Sequence, residues 1–280
     1  MQVALLHPGD MGATIGAALI SAGQDVNWVS AGRSAATRAR ADAMGLTALP
    51  DLASLAHLQA AVSVCPPHAA LDLARDVSDA GFKGLYIDAN AVAPQTAVKL
   101  SELFAGTGAT LVDGGIIGGP TREPGRTFLH LSGRAATDAA ALFKNSFLET
   151  RVVSEEIGAA SALKMCYAAY SKGTSALLLA LLTAAKHYGV DDALTAQWSV
   201  RDRDLLARSE TIGMIGSRAW RWSGEMLEIS TTFEGAGLPR GFHDAAAVLF
   251  ERLDTFKDCA AAPTPQDLIA QIAATAPGEV

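Results

Sequence analysis

The sequence predicts an α/β domain in the first half of the chain and an all-α domain in the second half. Up to about residue 153, short β-rich segments alternate with helical stretches, which is typical of a parallel sheet with helices on both faces. The strand signal ends before Gly158, and helical periodicity continues from there. A chain of 280 residues, half of them hydrophobic, is long enough to form two cores. The predicted domains are residues 1–156 and 157–280.

Six segments of the first half are predicted strands, because apolar and β-branched residues dominate them: Val3–Leu6, Val26–Val29, Ala61–Val64, Gly84–Asp88, Thr110–Asp113 and Thr127–Ser132. The alanine- and leucine-rich stretches between them are predicted crossover helices: Met11–Ala22, Ala35–Met44, His68–Ala80, Pro94–Phe104 and Thr137–Phe147. In the second half the predicted helices are Gly158–Tyr188, Asp192–Ser209, Trp220–Thr231, His243–Phe256 and Gln266–Ala273.

Composition excludes several classes of partner. The net charge of -7 disfavours binding to nucleic acid and to anionic membrane surfaces. The richest apolar run, Ser175–Ala185, is about half as long as a spanning helix of roughly 20 residues. The first residues lack the features of a secretory signal, so we expect a cytoplasmic protein. Cys65, Cys166 and Cys259 are scattered, and their spacing indicates neither a disulfide framework nor a metal site.

A nucleotide-binding turn is predicted directly after the first strand. The segment His7–Gly12 reads HPGDMG, and Gly16 follows in the next helix. Glycine lets the backbone approach a pyrophosphate, and a helix N-terminus offers N–H groups and partial positive charge. The GxGxxG fingerprint is incomplete because His7 occupies its first position, and a purely structural turn is the alternative. Its location favours a Rossmann domain, in which we predict cofactor contacts from Gly9, Asp10, Met11 and Gly12.

The end of the second predicted strand indicates which dinucleotide binds. An acidic residue there accepts a hydrogen bond from a ribose 2′-hydroxyl and repels a 2′-phosphate. The segment Val29–Ser34 contains no acid. Arg33 can bind a phosphate, and we expect Ser30, Ser34 and Arg38 to add hydrogen bonds and charge. These residues predict NADP, with NADPH preferred over NADH, and a solvated arginine loop is the alternative.

Two more loops follow predicted strands, at the sheet edge where ligands of open α/β sheets bind. Cys65 and Pro66 begin the first, and we predict that they contact the cofactor. Asn90, in the second, brings a donor and an acceptor to the expected nicotinamide and substrate region. Capping of the following helix is an equal alternative for Asn90, and one side chain can do both.

The segment Asp113–Pro120 and Lys164 are the predicted substrate side of the site. Backbone N–H groups of Gly118 and Gly119 suit an anionic substrate group such as a carboxylate, although glycines also serve simple crossover turns. Lys164 shares a stripe of small and polar residues with Ala168, Ser171 and Ser175 on the following helix. A close helix contact with the lysine extended into water is the alternative.

These ordered motifs resemble the β-hydroxyacid dehydrogenase and 6-phosphogluconate dehydrogenase superfamily over nearly the whole chain. The resembling segments are Gly9–Gly12 (GxMG), Asp88–Pro94 (DxST/DxNA), Asp113–Gly119 (DxPVSGG) and Gly158–Lys164 (GxxxxxK). The segments Lys172–Thr174 and Arg221–Met226 are similar to a branch whose C-terminal domain has no assigned function.

The resemblance implies an NADP-dependent oxidoreductase that transfers a hydride to or from the hydroxyl-bearing carbon of a 3-hydroxy-acid-like substrate. Lys164 would be catalytic, and Asn90, Gly118 and Gly119 would bind a small, anionic substrate. It also implies a homodimer, because the long helix of that family packs against a second subunit, and the apolar run Leu177–Leu182 fits such burial.

Three departures from the family pattern bear on the substrate. His7 replaces the first nucleotide glycine, Ile117 replaces a serine, and Ala168 replaces an asparagine. The last two remove polar contacts, which favours a larger or more apolar substrate. Imine reduction and a non-catalytic NADP-binding sensor are the alternative functions. Five residues of the second half stay open between helix packing and a pocket wall: Trp220, Trp222, Glu225, Phe242 and His243.

Overall fold

The computed structural model describes residues 1–257, 259 and 261–274. The chain separates into two compact units, Met1–Tyr167 and Ala168–Val280. The boundary between the units lies inside one long helix, α6 (Ala159–His187), whereas the sequence predicts it just before that helix. No helix in the described part of the chain combines the length and the hydropathy needed to cross a membrane.

The first unit contains one eight-stranded sheet in the order β3-β2-β1-β4-β5-β6-β7-β8. Strands β1 to β6 are parallel, β7 is antiparallel to β6, and β8 is parallel to β7. The bounds are β1 Gln2–Leu6, β2 Asp25–Val29, β3 Thr47–Leu49, β4 Ala60–Ser63, β5 Leu85–Asp88, β6 Thr110–Ile117, β7 Phe128–Ser132 and β8 Glu149–Ser154. The predicted α/β class is confirmed.

The sheet departs from the sequence prediction in three respects. Strand β7 is antiparallel, so the sheet is not wholly parallel. Strand β3 has only three residues, too few to show a periodic pattern. Strand β8 is mostly exposed and polar, so it lacks the buried apolar run by which the other strands are predicted.

Helices cover both faces of this sheet. Their bounds are α1 Asp10–Ser21, α2 Ala35–Ala43, α3 Ala70–Asp79, α4 Pro94–Phe104 and α5 Ala136–Ala141, followed by α6. Helix α5 ends earlier than predicted, and Asn145 just beyond it has a left-handed backbone. One core packs α1, α2 and α5 on the sheet, and the other packs α3 and α4.

The order of the strands creates a crevice between β1 and β4. Strand β1 pairs with β2 on one side and with β4 on the other, so the connections leave in opposite directions at this point. Such a switch point, at the carboxyl ends of the strands, is where open α/β sheets bind ligands. The loops after β1, β2 and β4 border it.

The buried carboxylate of Asp113 holds the start of α6 against the sheet. It is 0% exposed and accepts four hydrogen bonds. Two come from the backbone N–H groups of Gly158 and Ser161 (both 3.0 Å) and one from the Ser161 hydroxyl (2.5 Å). The fourth comes from the hydroxyl of Ser132, on β7 (2.8 Å). The first N–H groups of a helix lack partners within the helix, so this carboxylate satisfies them and complements the helix dipole.

The second unit is helical, as predicted. Its remaining helices are α7 Asp191–Arg201, α8 Arg203–Thr211, α9 Gly216–Gly235, α10 Gly241–Glu251 and α11 Pro265–Ala274. The predicted helix Asp192–Ser209 is in fact two helices, because the backbone of Asp202 leaves the helical region (φ -133°, ψ 53°).

Three of the five open residues of the second half, Trp222, Glu225 and His243, pack between helices of this unit, and Phe242 is 51% exposed. Lys172 on α6 forms a largely buried ion pair with Glu225 on α9. The ring of Trp222 meets Phe250 edge-on, with centroids 5.3 Å apart. His243 is buried against Phe233 and Phe242, with ring centroids 4.3 and 5.1 Å away. Trp220 instead lies beneath the Lys257 ammonium group, which is 4.2 Å from the ring centroid.

We expect Asp113→Ala to lower the free energy of unfolding of the first unit by about 3–5 kcal/mol, because it leaves several buried donors without an acceptor. Urea denaturation followed by circular dichroism measures the change. Asp138→Ala, at an exposed position of α5, is the matched control and should change little. Equal stability of the two variants would contradict the central role of Asp113.

Candidate nucleotide and substrate site

The turn between β1 and α1 keeps the shape of a nucleotide-binding turn although its first glycine is absent. His7 takes a left-handed backbone conformation (φ 70°), which favours glycine and costs a non-glycine residue about 1–2 kcal/mol. The Gly9 N–H donates to the His7 carbonyl (2.8 Å). At Gly12 an added Cβ would lie 2.2 Å from that carbonyl oxygen, so only glycine fits. The histidine therefore does conformationally what the missing glycine would do.

Helix α1 begins at the carboxyl end of β1 with Gly9 as N-cap, and no side chain caps it. Gly16 lets the helix approach the sheet, since a Cβ there would lie 2.9 Å from Leu5 Cδ2. The predicted cofactor residue Asp10 has its carboxylate 3.7 Å from Arg40 Nε, and Arg40 also donates to the Pro8 carbonyl (2.9 Å). Met11 packs against the core of the sheet. Arg40 on α2 therefore holds the turn in place through Pro8 and Asp10.

The predicted phosphate-binding residues after β2 differ in how many hydrogen bonds they already make within the protein. The Ser30 hydroxyl donates to the Leu49 carbonyl (3.1 Å), and Ser34 is the N-cap of α2, accepting from the Thr37 N–H (3.2 Å). Arg38 is exposed on α2. Arg33 is half-buried, and its Nε atom has no hydrogen-bond partner within the described ranges. Arg33 is thus the group best placed to receive an anion.

Three titratable side chains meet at the ends of β1, β2 and β4. Burial lowers the pKa of His7 to about 4, and the nearby charge of Arg33 adds to the effect. Burial also lowers the pKa of Arg33. The Cys65 thiol has its pKa raised to about 12, chiefly by burial and secondly by the charge of Asp88. Cys65 therefore stays a neutral thiol, and Arg33 is the positively charged group among the three.

Asn90 joins the ends of two neighbouring strands. Its Oδ1 accepts from the Cys65 N–H (2.6 Å), and its Nδ2 donates to the Ser63 hydroxyl (3.0 Å) and to the Asp88 carboxylate. The residue is only 3% exposed. It does not cap α4, whose N-cap is Ala93 without a side-chain bond, so the capping alternative is wrong. Both amide hydrogens are used in hydrogen bonds within the protein. The side chain fixes the loop that carries Cys65 and the exposed Pro66.

The predicted glycine loop begins later than the sequence suggests. Strand β6 continues to Ile117, so Gly114 and Gly115 lie in the strand, and only the residues from Gly118 onward form the loop. Gly118 has φ 126°, and a Cβ there would lie 2.4 Å from the Arg126 carbonyl oxygen. The Gly119 carbonyl accepts from the Thr127 hydroxyl (2.6 Å). Gly118 and Gly119 are both exposed, so their backbone is accessible to a ligand.

Gly115 brings Lys164 onto the sheet. A Cβ at Gly115 would lie 2.7 Å from the Ala160 carbonyl oxygen and 2.8 Å from Lys164 Cβ. The half-buried Lys164 stem therefore lies directly over β6. A Cβ at Gly114 would meet the Asp88 carbonyl oxygen at 2.9 Å, so this strand also touches the segment that leads to Asn90. The contacts bring together Lys164, β6 and the end of β5, and they reveal a positioning role for Gly115 that sequence reasoning missed.

Part of the second half of the chain matches a known family model. Residues 185–253 match the family described as "Domain of unknown function (DUF1932)". An uncharacterized 28.5 kDa protein of Methanothermus fervidus, from the 7S RNA 5′ region, is 30% identical over 164 residues. That match covers 58% of this chain and 62% of the relative, which is less than two thirds of the relative's length.

Solved structures resemble the chain over nearly its whole length. A conserved protein of unknown function, described as structurally similar to 3-hydroxyacid dehydrogenases, is 26% identical with a TM-score of 0.68. The match covers 97% of this chain and 99% of that protein. The 3-hydroxyisobutyrate dehydrogenase of Mycobacterium tuberculosis, solved with L-serine, is 16% identical with a TM-score of 0.70, covering 97% and 98%. The imine reductase of Myxococcus stipitatus, in complex with NAD+, is 16% identical with a TM-score of 0.56, covering 97% and 98%.

These comparisons confirm the resemblance that the motifs indicate. The fold is that of the 3-hydroxyacid dehydrogenases, and residues 185–253 match a domain without assigned function.

We expect Gly115→Ala to lower the free energy of unfolding by about 1–3 kcal/mol, because the new methyl group overpacks the contact between β6 and α6. Gly119→Ala is the control, since an added Cβ there meets no atom within 4 Å in the described structure. Thermal unfolding of both variants measures the difference. Equal unfolding temperatures of the two variants would contradict the close contact of Gly115 with Ala160 and Lys164.

Proposed function

We propose that this chain is an NADP-dependent oxidoreductase acting on the hydroxyl-bearing carbon of a small, anionic, 3-hydroxy-acid-like substrate. One observation carries the proposal. The stem of Lys164 is packed over Gly115 of β6, in the sheet whose strand order opens a crevice for a nucleotide. A lysine in this position is a candidate acid–base group rather than a surface charge.

The residues of the crevice fit a dinucleotide. The turn excludes side chains at Gly12, is open at Gly9, and offers the N–H groups that begin α1 to a pyrophosphate. The loop after β2, Ser30–Ser34, contains no acidic residue, and Arg33 supplies a cation there. Both features favour NADP over NAD. Residues of this crevice would hold the dinucleotide, which would supply hydride transfer to or from the substrate carbon. Cys65 and Pro66 lie in the loop after β4, which Asn90 holds, and they would contact the dinucleotide from that side.

Lys164 has the acid–base role in this proposal. As the alcohol is oxidised, its amine accepts the hydroxyl proton, and in the reverse direction its ammonium group returns the proton to the carbonyl oxygen. The exposed N–H groups of Gly118 and Gly119 suit the substrate carboxylate. Asn90 acts in this proposal by fixing the loop that carries Cys65 and Pro66. Ile117 supplies an apolar side chain where the resembling family has a hydroxyl, which favours a more apolar substrate.

The fold of the chain is more similar to that of a 3-hydroxyisobutyrate dehydrogenase than to that of an imine reductase. The TM-score to a 3-hydroxyisobutyrate dehydrogenase is 0.70, against 0.56 for an imine reductase, although both likenesses concern the fold. A related structure called Psf3, solved with NADP+ and 2-OPP, has a TM-score of 0.61 at 18% identity and covers 96% of this chain and 99% of that protein. Both nicotinamide dinucleotides thus occur on this fold.

We expect Lys164→Ala to lower kcat at least about 100-fold while NADPH still binds, since acid–base groups contribute that much. The assay follows NADPH oxidation with a panel of 3-oxo acids and NADP reduction with the matching 3-hydroxy acids. Lys99→Ala, exposed on α4, is the control and should keep full activity. An unchanged kcat in Lys164→Ala would remove the lysine from the mechanism. Turnover of imines alone would favour the reductase alternative, and binding without any turnover would favour a sensor.

A homodimer formed through α6 is part of the proposal. Side chains on one stripe of this helix are spaced by four or seven residues and are exposed: Tyr170 (74%), Leu177 (47%), Leu181 (41%) and Tyr188 (76%). Ala184, between the last two, is exposed as well. Residues three and four apart share a helix face, so these side chains form one apolar surface. A second copy of the same helix would bury it.

We expect sedimentation velocity at micromolar concentration to give a dimer mass for the wild-type chain and a monomer mass for Leu177→Arg/Leu181→Arg. Two charges in the apolar stripe would have to be buried without partners in a dimer. Val200→Arg, at a 76% exposed position of α7, is the control and should stay dimeric. A monomeric wild type would overturn this part of the proposal.

A further inference from the structure

We propose that His7, together with Arg33, binds the 2′-phosphate of NADP, and that its imidazole takes up a proton when the phosphate arrives. This inference rests on the proposed function and goes beyond it. It assigns a ligand contact to the residue that stands where a glycine is expected.

The first observation is a pair of buried nitrogens at the same corner of the sheet. His7 Nδ1 and Arg33 Nε are both shielded from solvent, and neither has a hydrogen-bond partner in the portion of the chain that the structure describes. Buried polar groups almost always have partners, so each exception requires an explanation. Two buried nitrogens without a partner, on side chains close enough for the charge of Arg33 to act on His7, indicate a site for a group from outside the chain.

The second observation is the backbone of His7. Its left-handed conformation satisfies the turn, and Gly9 and Gly12 adapt to it. Glycine would adopt this conformation without strain, and a histidine there adds nothing to the turn itself. The side chain is therefore best explained by what the imidazole binds.

The position identifies the ligand group. In a Rossmann domain the pyrophosphate lies at the start of α1 and the adenosine ribose at the end of β2. Arg33 follows β2, and its charge acts on His7 at the end of β1. An anion bound between these two side chains is one attached to the ribose. A 2′-phosphate has that location, whereas the 2′-hydroxyl of NAD carries no charge.

The charge of the bound phosphate explains why His7 would take up a proton. Without ligand, burial and Arg33 keep His7 neutral, with a pKa of about 4. The carboxylates nearby do not offset that effect on His7. Asp10 has its carboxylate 3.7 Å from Arg40 Nε, and Asp88, whose charge acts on the neutral Cys65 thiol, accepts a hydrogen bond from Asn90 Nδ2. A phosphate dianion beside the imidazole favours its charged form and raises its pKa. Binding of NADP near neutral pH is then coupled to proton uptake from the solvent.

The test is isothermal titration calorimetry of the full chain with NADPH and with NADH. Titrations at pH 7 in two buffers of different ionisation enthalpy give the number of protons taken up. Five proteins are compared: the wild type, His7→Gln, His7→Gly, Arg33→Ala, and His57→Gln as a control. His57 is exposed and lies just before the amino end of β4, whereas His7 lies at the carboxyl end of β1. His7→Gly retains the turn, because glycine adopts the required backbone freely.

We expect both His7 variants to weaken NADPH binding about tenfold, as loss of a charge-assisted hydrogen bond does, and to change NADH binding less than about twofold. The wild type and His57→Gln should take up a measurable fraction of a proton with NADPH that both His7 variants lack. Arg33→Ala should weaken NADPH binding as well.

The outcomes separate the two proposals. If the wild type binds neither nucleotide, the proposed function fails and this inference fails with it. If the wild type prefers NADPH but both His7 variants keep its affinity and proton uptake, only this inference is overturned. Equal weakening of NADPH and NADH would also overturn it, because His7 would then shape the turn rather than contact the phosphate.

Discussion

The carboxylate of Asp113 is the interaction on which the first unit depends. It lies level with Asp88, the last residue of β5, and satisfies the first N–H groups of α6 from inside the sheet. Ser132 accepts a further N–H from Ala160, so two neighbouring strands together form the cap of this helix. Lys164 follows one turn later and lies over Gly115. The position of the candidate catalytic group is thus set by a buried carboxylate that is bonded to the start of its helix.

Local patterns predict most of the architecture and much less of the site. Six strands and the principal helices follow from period and composition, because buried elements impose a strong pattern. Strand β3 is too short and β8 too exposed to show that pattern, and nothing local marks the break at Asp202 between α7 and α8. The antiparallel direction of β7 depends on pairing with distant residues, which periodicity does not report.

The parts of the site that the sequence does not predict depend on contacts between residues far apart in the chain. Asn90 is placed correctly at the sheet edge, but its bonds to Cys65 and Ser63 are set by the pairing of β4 with β5. Gly114 and Gly115 read as a loop, although they extend a strand whose neighbours approach too closely for any side chain. In contrast, the substitution at His7 is visible in the sequence, and only its backbone angle explains how the turn tolerates it.

The absence of side chains at Gly114 and Gly115 limits how a protein of this design can diversify. No substitution along this stretch of β6 can reshape the surface next to Lys164 without displacing a helix or a neighbouring strand. New chemical preferences must therefore arise from positions with free space around them. Gly119, where an added Cβ meets nothing within 4 Å in the described structure, is one such position. Divergent homologues of this chain should consequently vary in the exposed loop and keep the strand constant.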